Sequence, residues 1–93
     1  MANIKTKSID ELFNGILSLN DLKECYLFFS DLCTISELQD MAKRFEAAKL
    51  LEQGENYAAI SAKLGISTAT ISRISTCLKY GDGGYKTVID RLK

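Results

Sequence analysis

The residues best suited to chemistry in this 93-residue chain lie between Ser67 and Lys79, and the chemistry they suit is docking, not bond-breaking. The run Ser67-Thr68-Ala69-Thr70-Ile71-Ser72-Arg73, with Thr76 and Lys79 after it, combines short hydroxyl and methyl groups with two cations. Short side chains of this kind enter a DNA major groove closely and touch base edges or thymine methyls, while Arg73, Lys79 and Lys63 offer charge to phosphates. A surface built only for water carries mainly Glu and Lys. Catalysis has no comparable support. The chain has no histidine, its three cysteines (Cys25, Cys33 and Cys77) form neither a C-x-x-C pair nor a metal-ligand cluster, and no nucleophile sits beside a plausible base. Gly81, Gly83 and Gly84 surround Asp82 without the preceding strand or the lysine of a nucleotide-binding loop, so they are expected to form a hinge between helices. The chain is therefore not expected to be an enzyme, and no cofactor or metal is expected.

A docking face of this type must be held by two helices that meet at a steep angle, and residues 57–74 have the pattern for it. Such a corner needs a glycine at the turn, a small residue where the backbones approach, and apolar side chains inside the angle. Gly65 supplies the turn and Ser61 or Ala62 the small contact, with Ile60, Leu64, Ile66, Ile71 and Ile74 as the wedge. Ser67 then caps a second helix whose outward face carries Thr68, Ala69, Thr70, Ser72, Arg73 and Thr76. An αα-corner used only for packing or protein contact has the same geometry, so a helix-turn-helix adaptor without specific DNA binding is the rival function.

The remaining elements also read as helices, about six in all in a single domain, and the lack of any proline agrees with an all-α chain. The first is expected over about Ile9 to Leu19 with Ser8 as N-cap and Glu11 in the capping-box position. A second begins near Asn20 or Asp21 and holds Leu22, Cys25, Tyr26, Leu27, Phe28, Phe29, Leu32 and Cys33, which cover nearly all its sides. A helix apolar all round must be buried all round, and a short chain offers too little cover, so a second subunit is expected. Thr34-Ile35-Ser36-Glu37 is a capping box that opens a third helix ending at Gly54.

Apolar residues at 46% and charged residues at 26% are the balance of a folded protein. Net charge is zero but unevenly placed: residues 1–56 carry six Lys/Arg against ten Asp/Glu, residues 57–93 six against two, giving −4 and +4. The second half thus offers an electropositive surface for phosphate. Met1 to Lys7 lack the apolar core of a signal peptide and no apolar run is long enough to cross a bilayer, so a cytoplasmic protein with reduced, mostly buried thiols and no membrane partner is expected.

From Thr34 to Lys79 the sequence resembles the Trp repressor family, and Leu64-Gly65-Ile66-Ser67-Thr68-Ala69-Thr70-Ile71-Ser72-Arg73 is similar to that family's recognition segment without gaps. Leu78-Lys79-Tyr80-Gly81-Asp82-Gly83-Gly84-Tyr85 resembles its YerC/YecD-type branch more closely. The resemblance implies a Trp repressor-like, intertwined homodimer: N-terminal dimerisation helices over 8–54, a helix-turn-helix over 57–80 and a C-terminal dimerisation helix over 85–92. It implies double-stranded operator DNA as partner, read as a two-fold site, with Thr68, Ala69, Thr70 and Ser72 facing DNA and Lys79 on phosphate. Ala58 departs from the family, standing where tryptophan-responsive members place a DNA-contacting arginine.

The same resemblance bears on an effector. Tryptophan-responsive members hold the indole between two arginines, whose counterparts are Arg44 and Arg73. Ile74 replaces a glycine that leaves room for the ligand and Cys77 replaces a polar residue, so the space is expected to be filled. Without a ligand role, Arg44 is expected to make an ion pair on the third helix, for instance with Asp40, and Arg73 to touch phosphate. The function expected is a sequence-specific transcriptional repressor not gated by tryptophan, with any small-molecule effector unidentified.

Overall fold

The computed structural model describes residues 4–93, so the first residues of the polar lead-in at Met1 to Lys7 lie outside the described residues. Six α-helices and no strands are present among them: α1 Lys7–Leu17, α2 Leu22–Leu32, α3 Ile35–Glu52, α4 Tyr57–Leu64, α5 Thr68–Tyr80 and α6 Gly84–Arg91. Among the described residues no helix is long and apolar enough to cross a membrane. The chain divides into two compact units, one ending at Leu38 and one running from Gln39 to Lys93, with α3 passing through the boundary.

Helix starts in the first unit are set by side chains that satisfy free backbone N–H groups. α1, Lys7–Leu17, begins and ends two residues before the expected Ile9 to Leu19. Thr6, not Ser8, is the N-cap: its Oγ1 accepts from the Ile9 N–H at 3.1 Å, while Asp10 N–H donates to Thr6 O at 2.9 Å. Thr6 offers the same capping hydroxyl as Ser8 and lets Lys7 and Ser8 join the helix, and the Lys5–Asp10 ion pair at 2.9 Å lies across this start. α2 opens at Asp21, whose Oδ1 accepts from Glu24 N–H at 2.8 Å. Glu24 Oε1 reaches back to the Asn20 N–H at 2.8 Å, one residue beyond the usual capping-box partner. At Thr34 the expected box is complete: Glu37 N–H donates to Thr34 Oγ1 at 3.1 Å, and Thr34 N–H donates to Glu37 Oε1 at 2.8 Å. That second bond holds the Glu37 carboxyl below its ordinary value, because it favours the charged form.

The second unit contains the buried core. Ala47, Ala48 and Leu50 of α3, Ile60 of α4, Ile71 and Ile74 of α5 and Ile89 of α6 form one cluster, with Phe45, Leu51, Leu64, Ile66, Leu78 and Tyr85 packed around it. α3 ends in a Schellman turn: Glu55 N–H donates to Leu50 O at 3.1 Å and Gly54 N–H to Leu51 O at 3.0 Å. α6 starts and ends one residue earlier than the expected 85–92, with Leu92 as its C-cap. Gly81 to Gly83 form the connection between α5 and α6, while Gly84 opens α6 itself, and space explains Gly81: a Cβ there would lie 2.5 Å from Cys77 O.

No side chain of α1 or α2 is buried. Leu17 is 80% exposed, Leu22 72% and Tyr26 63%. The expectation of mostly buried thiols is corrected as well: Cys77 is exposed and Cys25 and Cys33 are half-buried, all three free. Cys33 lies one position past α2, as its C-cap with extended backbone, outside the helical periodicity from which its side was read.

Candidate nucleic-acid interface

The corner that holds the candidate residues is built by α4 and α5. Asn56 caps α4 through Oδ1, which accepts from the Ala59 N–H at 2.8 Å. Gly65 ends α4 in the left-handed region with φ 67°, a conformation that costs a residue with a Cβ far more than glycine, and its N–H donates to Ser61 O at 2.9 Å. Ser61 is the small residue of the corner and it does more than leave room. Its hydroxyl donates to Ile66 O at 2.6 Å and so ties the turn to α4. Ala62, the other candidate for that role, is exposed. The wedge forms as expected, with Ile60 and Ile71 fully buried, Ile74 buried, and Leu64 and Ile66 packed against them.

Ser67 caps α5: its Oγ accepts from Thr70 N–H at 3.1 Å and shares a 3.0 Å bond with Thr70 Oγ1. Thr68, Ala69, Ser72, Arg73, Thr76 and Lys79 are all exposed. Thr70 differs from them in being half-buried, with its hydroxyl engaged by the cap. Thr76 Oγ1 donates back to Ser72 O at 3.0 Å, which turns its hydroxyl to the helix.

On another side of α5, Arg44, Thr70, Arg73, Ile74, Cys77 and Tyr85 border a cleft of about 300 Å³. The expected effector residues Arg44, Arg73, Ile74 and Cys77 are therefore brought together. Thr70 and Tyr85 also line the cleft and were missed. Tyr85 is the second residue of α6, and nothing in its local pattern says that it lines the same cleft as Arg44. Ile74 joins the core as expected, but space remains beside it, so the arginines face an open cleft and not a filled one. The expected Arg44–Asp40 ion pair is absent; neither Arg44 nor Arg73 is in an ion pair among the described residues. Both guanidiniums are left to the cleft and to solvent. No group of His, Cys, Asp and Glu suited to a metal occurs among the described residues.

An all-α chain that presents a capped, exposed helix across a glycine corner is a helix-turn-helix protein. The model of the Trp repressor protein family matches residues 7–93, and the chain belongs to that family, one of DNA-binding regulators. It is 52% identical over 90 residues to the uncharacterized protein YerC of Bacillus subtilis, covering 97% of this chain and 86% of that protein. The crystal structure of a TrpR-like protein from Eubacterium eligens superposes with a TM-score of 0.91 at 49% identity, covering 96% of this chain and 92% of that one. A candidate Trp repressor from Staphylococcus aureus gives 0.90 at 44% identity, covering 96% and 89%.

Proposed function

We propose that the chain is a sequence-specific transcriptional repressor that binds a two-fold operator as a homodimer in the cytoplasm and is not gated by tryptophan. The exposed first half of α5 carries the DNA reading: Thr68, Ala69 and Ser72 stand free on a helix fixed by the Ser67 cap and the Gly65 corner. The N-terminal residues of such a helix enter the major groove, and Arg73 and Lys79 then lie where phosphates can be met. The +4 charge of residues 57–93 supports the same docking.

Dimerisation is assigned to residues 8–54 and 85–92 and reading to residues 57–80. Supporting this, α1 and α2 leave Leu17, Leu22 and Tyr26 uncovered, and Val88 and Leu92 at α6 are exposed too. A second copy offers matching apolar faces under a two-fold axis. Two reading helices so related ask for half-sites about 34 Å apart.

Independence from tryptophan is supported by the lining of the cleft: it is open, but Ile74, whose side chain belongs to the core, and Tyr85 border it together with both arginines. An indole that reached both guanidiniums would press on that packed branched side chain, and overpacking costs about 1–3 kcal/mol. Calorimetric titration with L-tryptophan is expected to give no saturable heat and no change in operator affinity.

Gel shifts with genomic fragments test the DNA reading. Selected fragments should be retained, Ala69→Glu should abolish retention, and Lys79→Ala should weaken all sequences alike and lower the salt slope by about one. An intact dimer that retains no fragment selectively would favour the adaptor instead.

A further inference from the structure

We propose that the exposed face of α5 tells base pairs apart through the C5 methyl of thymine, packed against Ala69 and Thr68; this rests on the DNA-reading role proposed above. The hydrogen bonds of the helix carry the inference. Three hydroxyls on or beside the face are already engaged: Ser67 and Thr70 with each other, and Thr76 with Ser72 O. The hydroxyls of Thr68 and Ser72 make no hydrogen bond among the described residues. A lone hydroxyl rotates to donate or accept, so it suits any base pair and separates them weakly.

Strong separation by hydrogen bonding needs groups that make two bonds to one base, such as Arg, Asn or Gln, and none occurs from Ser67 to Ser72. Arg73 is the first guanidinium of α5, and it borders the cleft with Arg44 and Tyr85. What the opening turn presents instead is alkyl: the methyl of Ala69 and the γ-methyl of Thr68, both on exposed residues. In the major groove thymine is marked by its C5 methyl, the apolar feature that such short side chains can reach by close approach.

The probe is the duplex retained from genomic fragments and narrowed by footprinting, with each protected thymine replaced singly by deoxyuridine. This change keeps every hydrogen-bonding group and removes only the methyl. Affinity should fall about fourfold at each contacted thymine, the equivalent of one buried methyl-sized group. In Ala69→Gly or Thr68→Ser the thymine-to-deoxyuridine affinity ratio at the matching position should drop to near one. Because the ratio compares two duplexes with one protein preparation, any loss of folded protein cancels. Thr76→Val, which alters a hydroxyl already bonded to the helix, should leave the ratio unchanged. A retained duplex indifferent to every deoxyuridine, or a ratio unmoved in both Ala69→Gly and Thr68→Ser, overturns methyl reading while DNA binding stands. Failure to retain any duplex overturns both.

Discussion

α1 and α2 use their apolar residues in the opposite way from the helices between Gln39 and Lys93. The later helices converge on Ile60, Ile71 and Ile74 and exclude water within a single chain, whereas α1 and α2 bury no side chain despite Phe13, Leu17, Leu22, Tyr26 and Leu27. Hydrophobic stabilisation follows the area removed from water, so the second unit has a core of its own, while the first leaves apolar area that the proposed second copy would cover. The difference separates two kinds of apolar residue in one short sequence: those that build the α4–α5 corner, and those that stay on the surface of the chain.

The sharpest way to break the comparison is to cut into the self-contained core. Ile71→Ala removes a fully buried side chain and should cost about 2–5 kcal/mol, seen as a lowered urea midpoint whatever the protein concentration. Tyr26→Glu acts on the other kind of residue. It should leave little trace in the Gln39–Lys93 unit but move sedimentation towards monomer at micromolar protein, with melting that becomes steeply concentration-dependent. If Tyr26→Glu remains dimeric with unchanged melting, exposed apolar residues of α2 are not the association surface.

Smaller effects sharpen the contrast at Thr34, just before the unit boundary. Thr34→Ala removes one half of the capping box and should cost about 1 kcal/mol, measured by denaturant titration. The smallest effect is that of Glu37. Its carboxyl is held below the ordinary 4.5 by the Thr34 N–H and then by the Thr34 hydroxyl. Since the folded value is the lower one, its contribution is fully present above pH 4.5 and is lost as pH falls through the lowered value. Glu37→Gln should therefore flatten the acid limb of a stability-against-pH curve slightly and leave the region near pH 7 without a slope; equal acid limbs in both proteins would refute the carboxylate's part in the box.

Local signals were legible where one side chain or one backbone dihedral decides the structure. The Thr34–Glu37 box, the Gly65 corner and the Ser67 cap depend on contacts within five residues, so the amino-acid types alone announce them. The start of α1 was misjudged for a related reason: Thr6 and Ser8 offer equivalent hydroxyls two residues apart, and only the added helical bond from Asp10 N–H separates them. The Ser61 hydroxyl on Ile66 O was not anticipated, because a small residue at a corner explains itself by size before its hydrogen bond is considered.

By itself, the sequence determined an all-α chain with a helix-turn-helix at 57–80 and an exposed row of short side chains on its second helix, since periodicity, caps and a left-handed glycine are local physics. Tertiary structure alone decided that Tyr85 lines one cleft with Arg44 and Arg73 and that this cleft remains beside Ile74, while the Arg44–Asp40 pair, local to α3, does not form. The first two outcomes depend on how α3, α5 and α6 meet, bringing together residues 12 to 41 positions apart in sequence, a geometry set by packing volume and not by any pattern along the chain.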